Sequence, residues 1–283
     1  MNKKVSESFT KTFTSKPFEK QVAICERSEL APLFLGLFKD HHPVLEAGCG
    51  SGRWNGWFQK NGIPSDGADW SHELCNRARK KLPACRFFAC DLKSIPVGPE
   101  TYGGIISLGS IEHSKEGPLD VLREFHRILK NEVIAVITIP YGSAVRRNRR
   151  QFIDRPLYRF KSLKLLRKLF NKSNIGPSLS DAREGVNNSW WPIFRHAGQG
   201  WHFFEYEFNK KQMRTFLAET GFSIRSEFVF SRDSGIYHSF RPLFARYDSE
   251  EELFTFSMIG KILRKVMPVD WIGHMLCYVV VKR

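Results

Sequence analysis

Residues 44–54 read VLEAGCGSGRW: a short apolar run, an acid at Glu46, then glycines at 48, 50 and 52. Glycines at this density suit a tight turn between a first strand and a following helix, because without a Cβ the backbone can approach a ligand closely. Dinucleotide-binding turns use G-x-G-x-x-G and aim backbone N–H groups at a diphosphate. Here the order is E-x-G-x-G-x-G, and a carboxylate just ahead of the turn sits badly beside a diphosphate. It suits a cationic ligand.

Strand-like runs and amphipathic segments alternate downstream of this stretch. Residues 43–48, 65–70, 85–91, 103–110 and 133–140 are short apolar runs of the kind found in strands buried on both faces. Pro118–Lys130 predicts a helix, with Val121, Leu122, Phe125, Ile128 and Leu129 on one stripe and Pro118 in the first turn. Asn209 as cap, Gln212, a Phe208/Met213 staple and a closing Gly221 predict another helix. FSIRSEFVFS (222–231) and HMLCYVVVKR (274–283) read as two further strands, separated by a helical stretch around 250–266. Seven strands joined largely by helical crossovers predict an α/β fold with a doubly wound, mostly parallel sheet.

The 283 residues suit one such domain carrying an insertion. The expected division is an N-terminal helical cap at 1–42, a Rossmann-like core at 43–140, an insertion at 141–208, and a return to the core at 209–283. Net charge is +15. Residues 145–172 alone hold 11 Lys/Arg against one Asp, and residues 190–208 hold eight aromatic residues. Within the basic part, KSLKLLRKLF (161–170) has the pattern of a helix lying on an anionic bilayer, and equally that of a helix docked by its leucines on the core. Nucleic acid is a third, weaker partner for these cations. The six cysteines show no C-x-x-C pair and no metal-ligand spacing. That points to reduced thiols in a cytoplasmic protein, with membrane contact at most peripheral. Neither a signal-peptide pattern nor a spanning apolar run occurs.

Glu46-Ala-Gly48-Cys49-Gly50-Ser-Gly52 resembles the first motif of class I S-adenosylmethionine-dependent methyltransferases, whose ligand carries an ammonium and a sulfonium. The resemblance runs on through three more strand ends, and it implies a role for each matching residue. Asp69 would accept hydrogen bonds from both ribose hydroxyls, with Trp70 against adenine. Asp91-Leu92 would read the adenine edge. IISLGSIEHS (105–114), with Leu108, would lie beneath the transferring methyl group. His113 is the candidate base toward an acceptor hydroxyl, or else a cap or wall of the pocket. Glu112 is a candidate for substrate or cofactor contact, or else structural. Tyr141, Trp201, His202, Phe204 and Tyr206 are candidate walls of an acceptor pocket.

Relatives that bind a divalent metal do so through E-x-x-E-H. Gly109 stands at the first of those positions here, so no metal is expected. Strand four ends LGSI rather than in the turn that holds a planar amine, and no Pro-Cys pair serves pyrimidine chemistry, so DNA-base methylation by those routes is disfavoured. The implied activity is methyl transfer to a hydroxyl of a small or lipid- or glycan-linked, anionic acceptor. RNA methylation and N-methylation of a small molecule are the enzymatic alternatives, and a catalytically retired membrane-surface scaffold is the non-enzymatic one. The intact glycine and aspartate set argues against retirement.

Overall fold

The computed structural model describes residue 10 and residues 13–149, 185–197, 200–240 and 243–283. Most of the basic segment 145–172, including the leucine-lysine pattern at 161–170, therefore lies outside the described residues. The rest divides into two compact units. One comprises Met1–Ile139, Lys210–Glu227 and Cys277–Arg283, the other Pro140–Asn209 and Phe228–Leu276.

The first unit is built on a seven-stranded sheet. Its strands are β1 (Val44–Ala47), β2 (Ser65–Asp69), β3 (Phe87–Ala89), β4 (Tyr102–Leu108), β5 (Leu129–Pro140), β8 (Phe222–Phe230) and β11 (Met275–Lys282), in the order β3-β2-β1-β4-β5-β11-β8. The pairs β1–β2, β1–β4, β2–β3 and β4–β5 are all parallel. The α/β, mostly parallel doubly wound sheet read from the sequence is thus the observed one. Helices α1 (Phe18–Glu26), α2 (Ala31–Phe38), α3 (Arg53–Lys60), α4 (His72–Lys81), α5 (Leu119–Ile128) and α7 (Lys210–Glu219) belong to the same unit. Helix α5 buries the predicted stripe at Val121, Leu122, Phe125 and Ile128. Leu129, expected as its last apolar residue, is instead the first residue of β5.

Strand β2 is buried along its whole length although three of its five residues are polar. Each of the two polar residues at its start finds a partner, as burial demands. Asn55 donates to the Ser65 hydroxyl at 3.1 Å and to the Asp66 carbonyl at 2.9 Å. The Asp66 carboxylate accepts from the Arg86 guanidinium at 2.6 and 3.0 Å, the Arg86 N–H at 2.9 Å and the Tyr102 hydroxyl at 3.0 Å. Helix α1 lies close against α3 at Gly56, where a Cβ would come within 2.8 Å of Val22 and 2.9 Å of Phe18.

The second unit holds two antiparallel hairpins, β6 (Pro192–Ala197) with β7 (Gly200–Tyr206) and β9 (Ala245–Asp248) with β10 (Leu253–Phe256). Its helices among the described residues are α6 (Ala144–Arg149), α8 (Arg232–Phe240), α9 (Met258–Val266) and α10 (Val269–Ile272). The described residues therefore form the expected seven-stranded sheet and four further strands in these two hairpins. The expected helical stretch at 250–266 is helical only from Met258. Before it, Tyr247 and Phe254 pair across β9 and β10 with ring centroids 4.9 Å apart, and the Asp248 carboxylate closes the turn by accepting from Glu250 and Glu251 N–H. A two-residue periodicity too short to stand out was hidden beside the stronger helical one. Residues 228–276, expected with the core, cluster instead with 140–209. Ile236, Ala245 and Ile272 form the heart of this unit, and a buried Arg146–Glu207 pair at 2.7 Å ties α6 to the segment after β7.

Tyr102→Phe removes one donor from a buried carboxylate while keeping the ring, so urea unfolding is expected to show a loss of about 1–2 kcal/mol. A stability equal to that of the parent would mean that Arg86 alone satisfies Asp66.

Candidate functional site

The carboxyl ends of parallel strands are where open α/β sheets bind ligands, because the loops there diverge at the strand-order reversal. In this chain the reversal lies between β1 and β4, which flank the glycine turn. Gly48 and Gly52 adopt φ of +85° and +75°, a region costly for any residue with a Cβ. At Gly48 a Cβ would lie 2.0 Å from the Ser110 hydroxyl, so the turn after β1 is seated directly on the loop after β4. Gly52 opens α3, and its Cβ would meet Phe87 at 3.1 Å and Ala78 at 3.2 Å.

These glycines are required by the fold itself. Their presence therefore does not argue against a retired site, contrary to the reading from sequence.

The hydrogen bonds of the turn decide its chemistry. Gly48 and Cys49 both donate to the Ala68 carbonyl, at 2.7 and 3.0 Å, and Gly52 donates to the Cys49 carbonyl at 2.9 Å. Gly50 donates to Asp69 Oδ2 at 2.9 Å. Four N–H groups that a diphosphate would need are thus committed within the fold. Cys49 contributes backbone only, since its side chain packs with Cys75, Ala78, Leu82, Cys85 and Phe87.

Asp69 ends β2 and is 6% exposed. Its Oδ1 accepts from Ser71 N–H at 2.9 Å, while the Ser71 hydroxyl caps α4. Burial raises its carboxyl above the usual range, and the bonds from Ser71 and Gly50 restrain the rise. Glu46, on β1, is equally buried and accepts from Asn55 N–H at 3.3 Å. Burial pushes its carboxyl well up, against the nearby Arg53 and the Asn55 bond, and the Asp69 charge adds to the rise. Two carboxylates kept from water on adjacent strands favour a positive partner.

The other expected residues fall around this edge. Cys90 N–H donates to the Asp69 carbonyl at 3.0 Å, bringing the end of β3 to the end of β2. Asp91, just beyond, is exposed, with Oδ1 accepting from Lys93 N–H at 2.9 Å. Trp70 is 40% exposed, a large aromatic face at the site's rim rather than in the core. Leu92 and Leu108 are half-buried. Ile111–His113 form a 3-10 turn directly after Ser110, with Glu112 buried and His113 half-buried.

Of the acceptor-wall candidates, all in the second unit, Tyr206 is fully buried, its hydroxyl accepting from Asn187 N–H at 3.0 Å. Its ring packs with Trp190, Phe203 and Phe208. Phe204 and Tyr141 are also buried, Phe204 beneath the Arg195 guanidinium. Trp201 and His202 remain half-buried. Tyr206 is thus packed within the hairpin unit, on the same face of β7 as Phe204, to which the alternation of the strand turns it.

Sequence reasoning missed the strap over the turn. The ring of Phe13 lies 3.0 Å from where a Gly50 Cβ would stand. Gln21 donates to the Phe13 and Lys16 carbonyls and accepts from the Ser51 hydroxyl at 2.6 Å. A polar residue at 21, on the helix face that carries Phe18, Val22 and Cys25, was the available signal, but its partners lie in other segments.

The residues fit a cationic nucleoside. A carboxylate offers about four acceptor positions, and Asp69 uses two on Gly50 and Ser71, leaving capacity for two hydroxyls.

Residues 44–132 match the family model described as a methyltransferase domain. Over 128 residues the chain is 27% identical to the malonyl-[acyl-carrier protein] O-methyltransferase of Salmonella typhimurium, covering 44% of this chain and 50% of that protein. The chain thus spans half or less of the length of the curated relatives it matches. Among solved structures, the PH0226 protein of Pyrococcus horikoshii OT3 superposes with a TM-score of 0.55 at 14% identity, over 96% of this chain and 93% of that one. The geranyl diphosphate C-methyltransferase of Streptomyces coelicolor A3(2), solved with Mg2+, geranyl diphosphate and S-adenosyl-L-homocysteine, gives 0.54 at 12% identity, over 94% and 83%. At such identities the structures show the shared fold.

The raised Glu46 carboxyl has a stability consequence. The folded protein keeps a proton that the unfolded chain releases above about pH 4.3, so ligand-free stability falls as pH rises from there through the raised folded value. Glu46→Gln keeps an acceptor for Asn55 and removes the ionisation. Its stability relative to the parent in urea is expected to be near equal at pH 4 and to improve toward pH 8. A Gln variant no better at pH 8 than at pH 4 would show that Arg53 already compensates the charge.

Proposed function

Residues 44–132 being a methyltransferase domain of the class I, S-adenosylmethionine-dependent family, we propose that the chain transfers a methyl group to an oxygen of a small or carrier-, lipid- or glycan-linked acceptor. The observation that carries this reading is the inward commitment of the Gly48, Cys49, Gly50 and Gly52 N–H groups beside two buried carboxylates. Such a site offers acceptors and negative charge where a nucleotide diphosphate would require donors.

S-Adenosylmethionine, when bound, supplies a methyl group made electrophilic by the sulfonium. The chain's own work is then positioning and charge placement. Asp69, fixed by Gly50 and Ser71, holds the ribose hydroxyls. Trp70 offers a face for adenine and Asp91 an exposed carboxylate for its amine edge, with Leu92 beside it. Glu46 supports the positive end of the ligand from below the turn. His113, on the 3-10 turn after β4, takes the proton from the acceptor oxygen, an exchange suited to an imidazole near neutral pH. The Salmonella relative's name as an O-methyltransferase supports oxygen as the receiving atom.

Titration calorimetry with S-adenosylhomocysteine tests the premise: saturable binding is expected, and its absence together with binding of NAD would overturn the reading. Asp69→Ala should weaken that binding by about 1.5–3 kcal/mol, the worth of hydrogen bonds to a charged group, and should also lower the melting temperature because Gly50 and Ser71 lose their acceptor. An unchanged affinity would remove Asp69 from the ribose role. His113→Ala should keep cofactor affinity while lowering turnover roughly 100-fold or more. Turnover is read by mass spectrometry as a deuteriomethyl label gained by a cell-extract component, and an undiminished signal would mean that another group, or none, takes the proton.

A further inference from the structure

Helix α9, MIGKILRKV, places Met258, Ile259, Ile262 and Val266 on one side at three- and four-residue spacing. A surface helix ordinarily turns such a stripe toward the core. Here the orientation is reversed. Met258 is 83% exposed, Ile259 56%, Ile262 55% and Val266 64%.

The reversal is imposed by how the helix is held. Gly260 faces inward, where a Cβ would stand 2.2 Å from the Phe244 carbonyl. The Ser257 hydroxyl caps the first turn at Gly260 N–H. Arg264 pairs with Asp233 at 2.6 Å, and its carbonyl accepts from Arg232 at 2.9 Å. Only the glycine edge can approach the unit closely, so the aliphatic stripe is left outside. Trp271, on α10, adds a further large side chain at 60% exposure.

We propose that α9 and Trp271 form a docking surface for an anionic lipid bilayer. The helix carries Lys261 and Lys265 with no acid of its own, Arg264 being neutralised by Asp233, and Asp270 precedes Trp271 on α10. An aliphatic stripe bordered by cations is the pattern of a helix that lies in the interface plane and sinks its apolar side chains about 5–10 Å into it. An exposed tryptophan five residues beyond the end of the helix suits the headgroup level. The acidic turn at 248–252 lies at the far end of the β9–β10 hairpin from Phe256, against which Gly260 and Arg264 pack. Four residues of strand, about 13 Å, exceed the Debye length of about 8 Å at physiological salt.

A second copy of the chain fits less well. A nine-residue helix is about 13 Å long, and one face of it falls far short of the roughly 800 Å² per partner of a stable interface. A bilayer needs no matching shape. This docking surface stands independently of the methyl-transfer reading and of the basic segment 150–172.

Vesicle flotation of the whole chain tests it, using phosphatidylcholine alone and phosphatidylcholine with phosphatidylglycerol. Binding is expected to the phosphatidylglycerol vesicles, to weaken with added salt, and to fall about 10-fold or more in the Ile262→Ser/Val266→Ser double variant. Tryptophan emission should shift to the blue on binding, and Trp271→Phe should lose most of that shift. Flotation that is absent, or undiminished in the double variant, overturns the proposal. So does a sedimenting dimer abolished by the double variant in a chain that does not float. Should the double variant fail to fold, Trp271→Phe decides: a blue shift that persists in full overturns the proposal, and one that disappears supports it.

Discussion

The functional edge of the first unit depends on one carboxylate. Asp69 holds Gly50 N–H with one oxygen and Ser71 N–H with the other, joining the turn after β1 to the start of α4. Through Ser71 it sets the cap of that helix, and through its own carbonyl it receives the Cys90 N–H from the end of β3. Three loops at the carboxyl ends of adjacent parallel strands therefore meet on one residue, two through its buried carboxylate and the third through its backbone carbonyl. An apolar residue in its place would leave two N–H groups without their acceptor in a region closed to water.

The same arrangement explains the electrostatic character of the site. Burial raises both Glu46 and Asp69, the cost of keeping carboxyls from water ahead of any cationic partner. The free protein bears that cost, and a positive charge bound beside these carboxyls would relieve it. A site tuned in this way gains affinity from charge that a nucleotide diphosphate, itself negative, would oppose. The conformational demands of Gly48 and Gly52 are separate from this, because their positive φ values and close neighbours are set by protein atoms.

The second unit obeys different rules. Its hairpins are stabilised by cross-strand aromatic pairs such as Tyr247–Phe254 and Phe194–Phe203, and its buried charges are paired as Arg146 with Glu207. Among its helices, α9 is oriented by a glycine and a capping serine rather than by its apolar stripe. No described helix is long and apolar enough to cross a membrane, so the exposed stripe is a surface feature and not part of a span.

The sequence by itself determined the parallel sheet of the first unit, the place of the glycine turn, and the acids at the ends of β1 and β2. Strands buried on both faces, helices with one apolar stripe, and glycines forced into positive φ all leave marks within a few neighbouring residues. Only the tertiary structure decided where the donors of the turn are spent, that Gln21 and Phe13 reach the turn from the N-terminal segment, that Tyr206 is core, and that residues 245–256 are a hairpin. The bonds at the turn rest on partners 30 and 19 residues apart, Ser51 with Gln21 and Gly50 with Asp69, whereas the hairpin and Tyr206 rest on nearer partners that the local pattern does not single out. The amphipathic pattern of α9 was equally legible as a helix, yet a pattern states only that two faces differ. Which face meets solvent was settled by the close packing of Gly260 on the Phe244 carbonyl.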